Sequence, residues 1–173
     1  MITIANARHL PKDTPPAIRA LISRAIADIS AVVEEPLGSN RGPIIDEYNR
    51  RAGAPVGSYW CASAVGAWMI DCGFPMPIGY ASCDNIMAWG KKTGRWSVLP
   101  ALGAMVLYGK PADANHVGLV SRLAPLVLSI EGNTTVEGGS AEQSRNGEAV
   151  SQKRVNSADP VLGYVLPMVK DAA

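Results

Sequence analysis

The sequence predicts an α+β domain in which N-terminal helices pack on a C-terminal antiparallel β-sheet. Three observations carry this expectation. Up to about residue 100, apolar residues recur at helical spacing between proline and glycine breaks. From Gly103 onward, short β-branched or apolar runs are bounded by turn residues. No internal repeat and no linker separates the two patterns, so helices and strands belong to one core.

Residues 1–13 read as an arm or short extended segment, with His9 a surface histidine. Asp13-Thr14-Pro15-Pro16 then opens a helix, capped by Thr14 or Asp13, with proline tolerated in the first turn. Ile18, Leu21, Ile22, Ala25, Ile26, Ile29, Val32 and Val33 keep one face apolar. Arg19, Arg24 and Asp28 fall elsewhere, and the helix is assigned to core packing alone. The run from Glu34 to Pro43 breaks the helix with two prolines and two glycines. Its polar part, Glu35 to Gly42, either lines a cleft or is a solvated connection. A second helix from Pro43 to Arg51 buries Ile44, Ile45 and Tyr48 and ends at Gly53.

Ser58 to Ile70 reads as a turn entering a helix. Ser58 is the expected N-cap, which places Cys61 at the third helical position, and Gly73 followed by Pro75 is the stop signal. Cys61, Val65, Trp68 and Cys72 share one face. Ala62, Ala64, Gly66 and Ala67 are small enough for other elements to approach closely, so this helix is expected to be central and buried. Phe74 to Tyr80 is an extended connection, because its prolines forbid helix. A short helix from Asp84 to Lys92 presents Ile86, Met87 and Trp89, and Trp96 follows in a loop. Strands are expected at Met105–Tyr108, Val117–Val120 and Leu126–Ile130. A long polar loop from Asn133 to Gly147 precedes closing strands at 149–155 and 162–166.

The chain of 173 residues suits one domain with a single core, spanning 1–173. Apolar residues make up 47% and charged residues 18%, an ordinary soluble composition. A net charge of +1 argues against a dedicated nucleic-acid binder. No apolar run approaches the roughly 18 residues that span a bilayer. The N-terminus lacks a basic region followed by an apolar core, so no signal peptide is expected. Cys61, Cys72 and Cys83 do not have zinc-site spacing. Helical rise puts Cys61 and Cys72 roughly 16 Å apart, too far for a disulfide. Cys72 and Cys83 are expected to be small buried residues with free thiols.

Three places carry chemistry. Cys61 sits where first-turn amides and the helix dipole favour a thiolate, the reactive form of cysteine. Of the two histidines, His116 begins a strand; there His116 and Gly118 face one side while Val117 and Leu119 face the other. Gly118 leaves space beside the imidazole. Glu131 and Asn133 end the next strand, and either can accept the ring N–H and hold its tautomer, the other binding substrate or bracing the site. The Cys61 amide is a natural oxyanion donor.

These segments resemble the cysteine, histidine-dependent amidohydrolase/peptidase (CHAP) family of cell-wall hydrolases, a papain-like group. The matching marks are Trp60-Cys61-Ala62-Ser63 entering a helix, Asn115-His116-Val117-Gly118-Leu119-Val120 on a strand, and Ile130-Glu131-Gly132-Asn133-Thr134 ending the next. The closing segment, from Asn146-Gly147 through Lys153-Arg154-Val155 to Leu162-Gly163-Tyr164-Val165, resembles the family's last strands. The likeness covers roughly residues 35–167, leaving 1–34 as an N-terminal arm and helix.

By this resemblance the fold is papain-like, Cys61 is the nucleophile, His116 the base and Glu131 the orienting residue, with Asn133 on a further polar position of the family. Tyr59, Trp60 and Asn115 are candidate substrate contacts. The implied activity is hydrolysis of an amide in the peptide part of peptidoglycan through a thioester, as an N-acetylmuramoyl-L-alanine amidase or a stem-peptide endopeptidase. Some members bind calcium through acidic residues before the nucleophile; Asp46 and Glu47 do not form such a cluster, so no metal or cofactor is expected. The protein is expected to be a monomer made in the cytoplasm and to reach the wall or periplasm by holin-type or other release, as a phage lysis enzyme does. The competing expectation is a non-catalytic papain-like virion component or wall-binding module.

Overall fold

Glycine, proline and apolar spacing divide the chain into the elements of the computed structural model, which describes residues 10–29, 31–135, 147–155 and 160–167. Among these, four helices precede six strands. The helices are α1 (Pro16–Asp28), α2 (Pro43–Ala52), α3 (Cys61–Asp71) and α4 (Cys83–Lys92). The strands are β1 (Trp96–Ser97), β2 (Met105–Lys110), β3 (Asp113–Arg122), β4 (Leu128–Thr134), β5 (Ala149–Arg154) and β6 (Val161–Val165). They form one sheet in the order β1-β6-β2-β3-β4-β5, every pairing antiparallel. The expected α+β arrangement is therefore present. His9, the rest of the arm over 1–9 and the loop centre at 136–146 lie outside the described residues.

The two-residue period of the strands sorts the sheet into two faces. Met105, Leu107, Val117, Leu119, Ile130 and Val165 join the helices in the main core. Val106, Tyr108, Val120 and Tyr164 form a smaller cluster on the other face. Register puts Tyr108 opposite His116, so the histidine stands on that second face, as the alternation predicts. α3 lies against β3 and β4. Its small residues make this possible: a Cβ on Gly66 would lie 2.1 Å from the Tyr80 ring.

Several boundaries differ from expectation. α1 ends at Asp28, because Ile29 leaves the helix with ψ 124°. Val32 and Val33 are not helical: Val33 pairs with Ala149, and Val32 accepts a bond from the Val150 amide. Neither Asp13 nor Thr14 caps α1; Pro15 holds the cap position without a side-chain bond. Ile44 is exposed rather than buried, since α2 turns Ile45 and Tyr48 inward instead. Trp96 belongs to β1, not a loop, and pairs with Val165.

α1 also does more than pack. Asp28 is buried and accepts bonds from Arg24 at 2.7 Å, from Trp68 at 2.6 Å and from the Tyr48 hydroxyl. One carboxylate thus ties α1, α2 and α3 together.

Candidate active site

Cys61 is the first residue of α3, not the third. Ser58 does not cap the helix because it belongs to the preceding turn, its amide bonded to Pro55 and its carbonyl to the Asn49 amide group. Trp60 takes the cap position, and the first helical bond runs from Ala64 to the Trp60 carbonyl. The amides of Cys61, Ala62 and Ser63 therefore have no helical carbonyl ahead of them, which leaves them for an anion.

Cys61 is 4% exposed. Its thiol is held well below its ordinary range: first by the contact with Cys83, then, against the opposition of burial, by the charge of neighbouring His116 and by the Val117 amide. Cys72, at the far end of the same helix, is half-buried rather than buried, and desolvation pushes its thiol up. Their neighbours thus shift the two thiols of this helix in opposite directions.

His116 Nε2 meets Glu131 Oε2 at 3.0 Å. Nδ1 makes no hydrogen bond, to Cys61 or to any other group, so it is the ring nitrogen left free. Burial disfavours the imidazolium, yet Cys61 and Glu131 outweigh it and raise the group to about 10. Glu131 is opposed by burial in the same way. His116, Ser129 and Lys153 overcome that penalty and bring it to about 2. The shifts run in the directions that favour a thiolate, an imidazolium and a carboxylate, and a direct contact joins the last two.

Two partners of Glu131 carry no sequence signal. Ser129 donates to Oε1 at 2.5 Å and Tyr108 donates to the same oxygen at 2.8 Å. Both stand on the second face of the sheet, two residues along β4 and across on β2. The space over Gly118 is filled by Glu131, not left beside the imidazole: a Cβ there would lie 2.6 Å from Glu131 Cγ.

Asn133 does not join this row. A bulge between Glu131 and Thr134 and a φ of 53° turn it away from the extended path that would have placed both residues on one face. Its amide group donates to Asn40 at 2.7 Å, to the Gly147 carbonyl at 3.0 Å and to Glu34 at 3.3 Å. Glu34 also receives the Trp60 indole N–H at 3.0 Å and the Asn40 amide at 3.0 Å. Asn133 thus braces the residue before the nucleophile. Part of the loop after Glu34 is structural, with Asn40 its contact.

Trp60 does not line an open cleft, because it is fully buried and held by Glu34. Tyr59 is 64% exposed. It lines a cleft of about 400 Å³ with Ala54, Pro55, Ser58, Ala81 and Ser82. Asn115 is half-buried next to His116, and its Oδ1 has no partner.

Asp46 pairs with Arg41 at 2.9 Å and Glu47 with Arg50 at 2.7 Å, both on the surface. Among the described residues no group of three His, Cys, Asp or Glu side chains is placed to hold a metal ion. Among them no helix is long and apolar enough to cross a membrane. Comparison with protein-family models, curated proteins and solved structures gives no match to this chain.

Proposed function

We propose that the protein is a cysteine-dependent hydrolase that cuts an amide bond in the peptide part of peptidoglycan. The observation that carries the chemistry is the row Cys61, His116, Glu131, in which each group favours the charged form of the next. The motif resemblance to papain-like cell-wall hydrolases carries the substrate.

In this reading the Cys61 thiolate attacks the amide carbonyl, and the first amides of α3 receive the developing oxyanion. His116 gives its Nδ1 proton to the leaving amine while Glu131 holds Nε2. The neutral imidazole then takes a proton from water, which attacks the thioester carbonyl. The acyl group leaves as a carboxylic acid and Cys61 returns to thiolate. The cleft beside Tyr59 runs along the segments that lead into Cys61 and Cys83, a place for the peptide.

The test uses purified sacculi. The wild-type chain releases soluble peptide, and Cys61→Ala reduces release by about 1,000-fold or more. New stem-peptide N-termini identify an endopeptidase; free lactyl-muramic acid identifies an amidase. Sacculus binding with no new amine from the wild-type chain favours the non-catalytic alternative and sinks the hydrolase.

A further inference from the structure

The acyl-transfer reading needs one thiol, yet two thiols meet at the site. Cys61 opens α3 and Cys83 opens α4, and their sulfurs are 4.0 Å apart. Both side chains are nearly sealed from solvent, at 4% and 8% exposure. Neither is in a disulfide. Cys72 lies at the opposite end of α3, so the pair is specific to these two residues.

Sulfurs at 4.0 Å are in contact but unbonded. A disulfide needs about 2.05 Å, so closure requires about 2 Å of side-chain movement at two helix starts. The two thiols also differ in kind. Both open a helix, but Cys61 alone neighbours His116, whose charge favours a thiolate there, and oxidants attack thiolates first. Cys61 and burial push the Cys83 thiol up, and it stands in contact as the second sulfur.

We propose that Cys61 and Cys83 form a reversible redox site, in which a hydroperoxide oxidises Cys61 and Cys83 closes a disulfide onto it. In the first step the Cys61 thiolate attacks a peroxide oxygen. The S–O bond forms and the O–O bond breaks, giving a sulfenic acid and a hydroxide that takes up a proton to leave as water. In the second step the Cys83 sulfur attacks the Cys61 sulfur. The S–S bond forms and the S–O bond breaks, and the departing hydroxide takes the Cys83 proton and leaves as water. Two thiols lose two electrons and hydrogen peroxide gains them. A small dithiol reverses the change by exchange. The disulfide occupies the attacking sulfur, so the site is silent while oxidised, and it spares Cys61 the irreversible sulfinic and sulfonic states.

This inference does not require the hydrolase reading, and its test does not read activity. The full chain carrying Cys72→Ser keeps only the two thiols in question. It is treated, folded, with hydrogen peroxide and mapped as peptides without reductant. The expected result is a peptide pair joining Cys61 to Cys83 within one molecule, with both thiols closed to iodoacetamide and reopened by dithiothreitol. In a second chain that also carries Cys83→Ser, peroxide is expected to add two or three oxygens to Cys61 that dithiothreitol does not remove. Recovery of Cys61 as a sulfinic acid beside an unmodified Cys83 in the first chain overturns the proposal. Disulfides found only between molecules overturn it too. The first map decides the matter even if the second variant does not fold.

Discussion

His116 gives Nε2 to Glu131 at 3.0 Å and leaves Nδ1 without a hydrogen-bond partner. The ring is thereby held by one nitrogen, and the other is left free. The carboxylate acts through the ring, so its removal is expected to move a titration rather than simply abolish binding.

The pH dependence follows from the directions of the shifts. The imidazolium persists to about pH 10, so amide cleavage is expected to fall on the alkaline side near that value. Glu131→Gln removes the charge that supports it, and the alkaline limb moves toward neutrality. A rate profile for the two proteins checks this; a limb that stays in place in Glu131→Gln refutes the role given to the carboxylate.

The same groups link stability to pH. His116 is raised from 6.5 to about 10, so its contribution is fully present below pH 6.5 and is lost as pH rises through about 10. Glu131 is lowered from 4.5 to about 2, so its contribution is present above pH 4.5 and is lost as pH falls through about 2. The stability gap between wild type and Glu131→Gln is therefore expected to be widest between pH 4.5 and 6.5. Urea unfolding across the pH range measures it, and a gap independent of pH contradicts the assignment.

Gly118→Ala tests positioning without touching a reacting group. The added Cβ would lie 2.6 Å from Glu131 Cγ and 3.1 Å from Ser129 Cβ, so Glu131 must move. A displacement on the order of 1 Å is expected to lower cleavage by about 10- to 100-fold. Circular dichroism and cleavage measured together distinguish this from unfolding; full activity in a folded variant argues against the geometry.

The brace behind the nucleophile predicts a coupling. Glu34→Ala leaves the Trp60 indole N–H and the Asn40 amide without their acceptor, at a cost of about 1–3 kcal/mol. Trp60→Phe removes the donor itself, so the double variant is expected to be more stable than the sum of the singles, by about 0.5–3 kcal/mol. Denaturant midpoints of the four proteins give the number, and strict additivity denies the contact.

Gly66→Ala probes close packing on α3. Its Cβ would fall 2.1 Å from a ring carbon of Tyr80. Overpacking of this kind costs about 1–3 kcal/mol. A variant as stable as wild type indicates that Tyr80 rotates away freely.

What the sequence shows and what it hides divide along the range of the interactions. Cys61 opens α3, where local residue chemistry places it, but His116 and Glu131 stand inside β3 and β4 rather than at the strand ends the sequence suggests, because both strands run further than their apolar runs. Glu34 was not legible, because its Asn133 partner is 99 residues away. Cys83 was read as a buried apolar residue, since nothing local tells that the start of α4 faces the start of α3. Asn133 was misplaced because a bulge breaks the alternation on which the reading rested. α1 was drawn too long because Ile29, Val32 and Val33 continue its helical period. A partner strand rather than the helix takes up Val33, and periodicity over three or four residues does not tell these cases apart.

The division of the chain into helices first and strands second bears on the order of synthesis. A ribosome that has released α3 has released Cys61 without its neighbours from the sheet. His116 follows 55 residues after Cys61, and Glu131 15 residues after His116. The carbonyl of Gly147, which holds Asn133, comes later still. A partial chain that stops before the sheet carries Cys61 and Cys83 but neither His116 nor Glu131, so Cys61, His116 and Glu131 can come together only after β4 has emerged.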